Sequence, residues 1–99
     1  MSKTTIKVVA RVIALPEKVE AVKRVLMSLI EPTRQEAGCI SYELFQNQTD
    51  LTDFTFVEEW ESQALLNTHL ASVHIAQAQS QLQGLIATAP DIRIYKQLA

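Results

Sequence analysis

Ninety-nine residues make one small domain, 1–99, with 47% hydrophobic residues, 20% charged residues and a net charge of −2, a balance that excludes a nucleic-acid binder relying on a basic surface. A single cysteine, Cys39, excludes an intramolecular disulfide and a cysteine metal cluster, and fits a reducing cytoplasm. The apolar runs are too short to span a membrane, Met1–Thr5 lacks the pattern of a secretion signal, and Gly38 and Gly84 alone cannot build a glycine-rich loop for NAD or ATP.

Thr5 to Leu15 is rich in β-branched residues and reads as a strand. Pro16 suits the first turn of a helix, and Val19, Val22, Leu26, Leu29, Ile30 and Thr33 recur at helical spacing, which predicts a helix from Glu17 to Ala37. Pro32 cannot donate a bond to Ser28, so a kink or restart is expected there, and Gly38 is the stop. Ile40–Gln48 is the second strand, Asn47–Asp53 a turn, and Phe54–Glu61 the third strand. Ser62 caps a short helix to Leu70, and Ser72 caps another from Val73 to Leu85. Gly84 and Pro90 end that helix, and Ile92–Leu98 is the last strand. The order β-α-β-β-α-α-β gives an α+β, ferredoxin-like fold with an antiparallel sheet.

The strands do not alternate cleanly between a dry face and a wet one. Ile6, Val8, Ala10, Val12 and Ala14 share a face, yet Val9, Ile13 and Leu15 lie opposite, beside Lys7 and Arg11. Helices can cover one side only. A second copy of the same sheet is the simplest cover for the other, so a homodimer is expected.

Glu58 projects from the same face as Phe54, Phe56 and Trp60, because alternate residues of a strand point the same way. A carboxylate among aromatic rings is either a general base with a raised pKa or the partner of an arginine. Trp60 either anchors the core or stacks on a planar ligand, and Phe56 is a candidate wall. His69 follows Leu65 by four residues and Leu66 by three, so it faces the sheet, either as a hydrogen-bonded core residue or as a pocket acid or base. His74 lies in the first turn of the next helix. On one continuous helix a five-residue spacing sets the two histidines apart, and no third ligand is evident, so no metal site is expected. Arg34 can bind a carboxylate bidentately, as a tie to Glu43, Glu58 or an acid of a partner chain, or can steer an acidic or phenolic ligand. Tyr42 either packs or orients a ligand through its hydroxyl. Cys39 has no local histidine and reads as a small buried residue.

Three stretches, Pro32–Leu44, Phe56–Ser62 and His69–His74, resemble in order and separation the antibiotic biosynthesis monooxygenase family. The resemblance covers nearly the whole chain. It implies a dimeric α/β barrel built from two such sheets with the helices outside, and a pocket shaped in part by the Glu-x-Trp element. Arg34 and Glu36 match the Thr-Arg-x-Glu element of the family. The activity implied is oxidation of a small aromatic quinol or polyphenol with O₂, with no flavin, haem, metal or other cofactor. On that reading Glu58 and His69 are catalytic, and Trp60, Tyr42, Arg34, Phe56 and His74 bind substrate. Two alternatives stay open: a non-catalytic binding or stress-response module for a small hydrophobic ligand, and an isomerase of a phosphorylated signalling sugar. Haem-degrading relatives use an Asn, a Trp and a His, and in an ungapped comparison those places fall on Ala10, His69 and Gln79. None matches, so haem degradation is not expected. The first loop departs from the family, with Pro16-Glu17-Lys18 where Pro-Gly-Lys is usual.

Overall fold

The computed structural model describes residues 5–99; Met1–Lys3 and Thr4, part of the stretch expected to lack a signal pattern, lie outside it. Four strands, β1 (Ile6–Ile13), β2 (Cys39–Gln46), β3 (Asp53–Trp60) and β4 (Asp91–Lys96), form one antiparallel sheet in the order β2-β3-β1-β4. This is the ferredoxin-like α+β arrangement. The sheet is open and does not close on itself within one chain.

The long helix expected from Glu17 to Ala37 is three pieces. A 3-10 turn spans Pro16–Lys18, α1 runs Val19–Met27, and α2 runs Ile30–Arg34. The break falls at Ser28–Leu29, one turn before Pro32. There the Ser28 carbonyl loses its donor to the proline ring, and the Ser28 hydroxyl donates back to the Val25 carbonyl. Gly38 ends this unit at φ +85°. A Cβ there would overlap the Leu65 side chain, so only glycine lets the following helix sit down on the turn. That helix, α3 (Gln63–Leu70), starts where Ser62 Oγ accepts from the Leu65 N–H, and α4 (Val73–Leu82) starts where Ser72 Oγ accepts from the Ile75 N–H. α4 stops three residues short of Leu85, and Gly84 follows at φ +79°.

The helices cover one face of the sheet. Val8, Ala10 and Val12 of β1 meet Phe54, Phe56 and Glu58 of β3 there, with Leu26, Ala78 and Leu82 above them. Burial of each large apolar side chain contributes roughly 1.5–3 kcal/mol. On the opposite face Val9, Ile13 and Val57 are only half-buried, and Phe45 and Tyr95 are 52% and 47% exposed. The second face thus carries apolar side chains that no helix of this chain covers, as the sequence pattern predicts. That face is also where Arg11 donates through Nε and Nη2 to the Asp53 carboxylate, which Asn47 joins, tying the β2–β3 turn to β1. β4 is the outer strand beside β1, and all six of its residues are exposed. No helix among the described residues is long and apolar enough to cross a membrane.

Candidate functional site

Strand alternation places Phe54, Phe56, Glu58 and Trp60 on the helix side of β3, as their spacing predicts. Phe56 and Glu58 line a cavity of about 80 Å³ between sheet and helices, open at one end. Tyr42, His69 and Gln79 supply its other polar groups, and the rest of the lining is apolar. It reaches the surface where Leu70, Gln79, Pro90 and Ile92 are exposed. A larger groove of about 230 Å³ lies outside, between α1 and the edge of β2. Lys23 is the charged residue in its lining, with no acid or base opposite, so it offers no comparable chemistry.

Glu58 is 4% exposed. Its Oε1 accepts from the Trp60 indole N–H at 2.9 Å, so its partner is an indole and not the arginine considered from sequence. Burial raises its carboxyl from 4.5 to about 7, the Trp60 bond acts the other way, and the charge of Glu36 adds to the rise. Trp60 itself does not line the cavity. It is fully buried beside Val8 and Leu66, behind the wall, and supports both Glu58 and His69.

His69 is 2% exposed and held by rings on two sides. The Trp60 centroid lies 4.7 Å away, and Tyr42 meets it edge-on at 5.6 Å. Its Nδ1 lies 2.6 Å from Glu36 Oε2. An ionised carboxylate only accepts, so His69 carries its proton on Nδ1, which leaves Nε2 for the cavity. Burial lowers the pKa of His69 and Glu36 opposes this. Tyr42 stacks on Phe56 at 4.9 Å, and burial pushes its phenol far above the usual range, so it stays a neutral donor.

Arg34 stands apart from the cavity. Its Nε and Nη2 both donate to the backbone carbonyl of Tyr42, at 3.1 and 2.9 Å, and not to an acid. The fork found an acceptor that sequence patterns do not mark. Arg34 therefore fixes β2 and the Tyr42 backbone without touching the cavity. Arg11 lies on the far face with Asp53. The cavity lining thus holds no cation, and the phosphorylated-sugar reading lacks its phosphate partner. Cys39 is half-buried, with its thiol raised first by burial.

His74 also lies off the cavity. Its Nε2 is 2.8 Å from the same Glu36 Oε2 and 3.3 Å from Ser72 Oγ. Glu36, to which sequence reasoning gave no role of its own, thus bridges the two histidines. The expected absence of a metal site rested on a continuous helix and a missing third ligand, and neither premise holds. α3 ends at Leu70, α4 restarts on a new axis at Val73, and the turn after α2 delivers Glu36 between them. The Ser72 cap was the available signal, since a restarted helix breaks the angular rule for residues five apart.

Ala10, His69 and Gln79, the residues on which the ungapped comparison with haem-degrading relatives falls, all line this cavity. Residues 5–81 match the family model described as antibiotic biosynthesis monooxygenase. The chain is similar to an uncharacterised protein of Synechocystis, 33% identical over 82% of this chain, of which it spans just 55%. It is 32% identical, over 86% of its length and 82% of the relative's, to a Mycobacterium tuberculosis protein provisionally named a monooxygenase. A crystal structure from Pseudomonas aeruginosa superposes with a TM-score of 0.92 at 30% identity, covering 100% of this chain and 99% of that one. By the match over residues 5–81 and by its fold, the chain belongs to the antibiotic biosynthesis monooxygenase family.

Proposed function

We propose that this protein is a monooxygenase that oxidises a small aromatic quinol or polyphenol with O₂, the substrate supplying the electrons. The observation that carries this reading is a buried carboxyl, Glu58, on the wall of an otherwise largely apolar cavity. Glu58 takes the phenolic proton. The Tyr42 hydroxyl donates to the oxygen left behind, Phe56 packs on the ring, and His69 Nε2 offers a second polar contact. The electron-rich anion then reacts with O₂. One oxygen atom enters the ring and the other leaves in water, so a quinol and O₂ give a hydroxyquinone and H₂O. This balance calls on no flavin, haem or metal as electron source.

The cavity must widen to admit a ring. Benzene occupies a cavity of about 150 Å³, and this one measures about 80 Å³. Leu70 and Ile92, exposed at the mouth, are the side chains free to turn outward. The half-buried opposite face supports a homodimer with the two sheets face to face, forming the barrel that the resemblance implies. The half-buried single cysteine suits a cytoplasmic setting.

The test is O₂ consumption by the purified protein across a panel of quinols and anthrones. Substrate-dependent consumption that falls at least about 100-fold in Glu58→Gln supports the reading. The present smallness of the cavity favours one other reading, a module that binds a hydrophobic molecule without turning it over. Binding with no O₂ uptake, indifferent to Glu58→Gln, would establish that instead. Light scattering that finds a stable monomer at micromolar concentration would remove the dimer.

A further inference from the structure

The chain contains two histidines in all. They come from different helices, yet both ring nitrogens point at one carboxylate oxygen. His69 Nδ1, His74 Nε2 and a Glu36 oxygen all lie within 4.8 Å of one another. We propose that Glu36, His69 and His74 form a binding site for a divalent first-row transition-metal ion, with zinc the best match.

The donor set is the first ground. Two imidazoles and one carboxylate suit zinc and its neighbours, whereas calcium and magnesium prefer all-oxygen cages. Preorganisation is the second. The His69 ring is clamped between Trp60 and Tyr42, and the hydrogen bonds at 2.6 and 2.8 Å already gather the three donors. An ion would replace the two ring protons that face Glu36. Around a tetrahedral ion with bonds of about 2.0–2.1 Å, donor atoms sit roughly 3.3 Å apart. The two ring nitrogens, up to 4.8 Å apart, must therefore close by about 1.5 Å, and the carboxylate must withdraw by about half an ångström. Glu36 can do so, because it lies in the turn between α2 and β2 and not within an element. Access is the third ground: Glu36 and His74 keep 16% and 24% of their side chains exposed, so an ion can enter from solvent.

The site adjoins the cavity through His69. Coordination at Nδ1 forces the remaining ring proton onto Nε2, so the nitrogen left for the cavity changes from acceptor to donor. A metal-loaded protein thus presents a donor and a nearby positive charge to whatever anion the cavity holds. The electrons for any oxidation still come from elsewhere, and the metal site does not rest on the oxygenase reading.

Calorimetric titration of the metal-free protein with Zn²⁺ tests this, alongside Glu36→Gln and His74→Ala variants whose folding is checked by thermal melts. One ion per chain at micromolar or tighter affinity, weakened more than about 100-fold in each variant, is expected. Absence of stoichiometric binding, or binding that survives both substitutions, would overturn the site. X-ray absorption on the wild-type protein loaded with one equivalent of zinc provides a check independent of the variants. Two imidazoles in the coordination shell are expected, and a shell without imidazole overturns it.

Discussion

The indole N–H of Trp60 donates to the Glu58 carboxyl two residues away on the same face of β3, at 2.9 Å. A donor favours the charged carboxylate, and burial opposes it more strongly, so Glu58 settles at about 7. The aromatic residue and the acid are thus one device: the ring excludes water while its N–H limits how far the acid is pushed.

Stability should carry the mark of Glu58. Its folded pKa, about 7, lies above the ordinary 4.5. The native state is therefore favoured while Glu58 is protonated, and that advantage is lost as pH rises through about 7. Glu58→Gln removes the charge. Relative to wild type, the variant should gain up to about 3 kcal/mol on going from pH 5 to pH 8. Urea unfolding at the two pH values checks this, and an equal difference at both would show that the acid is not perturbed.

Trp60→Phe keeps a ring but deletes the donor. Glu58 should then titrate higher still, so any activity that depends on the carboxylate should need more alkaline solution to appear. The lost bond and volume should cost roughly 1–3 kcal/mol of stability. A pH–rate profile whose acid limb stays in place would contradict this assignment.

Glu36→Ala should destabilise the fold by about 1–3 kcal/mol, because the buried His69 Nδ1–H loses its acceptor. Glu36→Gln retains a carbonyl oxygen there and should cost less. Thermal melts of the two variants in metal-free buffer rank them, and the reverse order would show that the carboxylate does not hold the ring.

The two glycines should respond unequally to alanine. Both have positive φ, but a Cβ at Gly38 overlaps Leu65, whereas a Cβ at Gly84 meets open space. Gly84→Ala should cost about 1 kcal/mol for backbone conformation alone. Gly38→Ala should cost more and should also disturb α3, which would register in the exchange protection of His69 and its neighbours. Equal melting points for the two variants would refute the close approach.

Local signals carried much of this fold. Ser62 and Ser72 cap the two helices, Gly38 ends the first helical unit, and the alternation on β3 sets Phe56, Glu58 and Trp60 on one face. Each of those depends on neighbours within a few residues. What sequence left open depends on distant partners. Glu36 meets His69 and His74 across 33 and 38 residues, and no local pattern records the angle between α3 and α4. Charge is visible in a sequence, so Arg34 reads as the partner of an acid, whereas a strand carbonyl that accepts two bonds leaves no such mark. Strand alternation sets Trp60 on the helix side of the sheet, but whether it forms the wall or stands behind it depends on how the helices pack above it.

β4 forms the outermost part of the cavity wall, and its whole length is open to solvent. The cavity consequently has one side at the centre of the sheet and one at its edge. Glu58 sits on β3, between β1 and β2, while Pro90 and Ile92 stand at the exposed margin of the cavity. Substitutions along that rim should reshape the mouth without displacing Glu58 or His69.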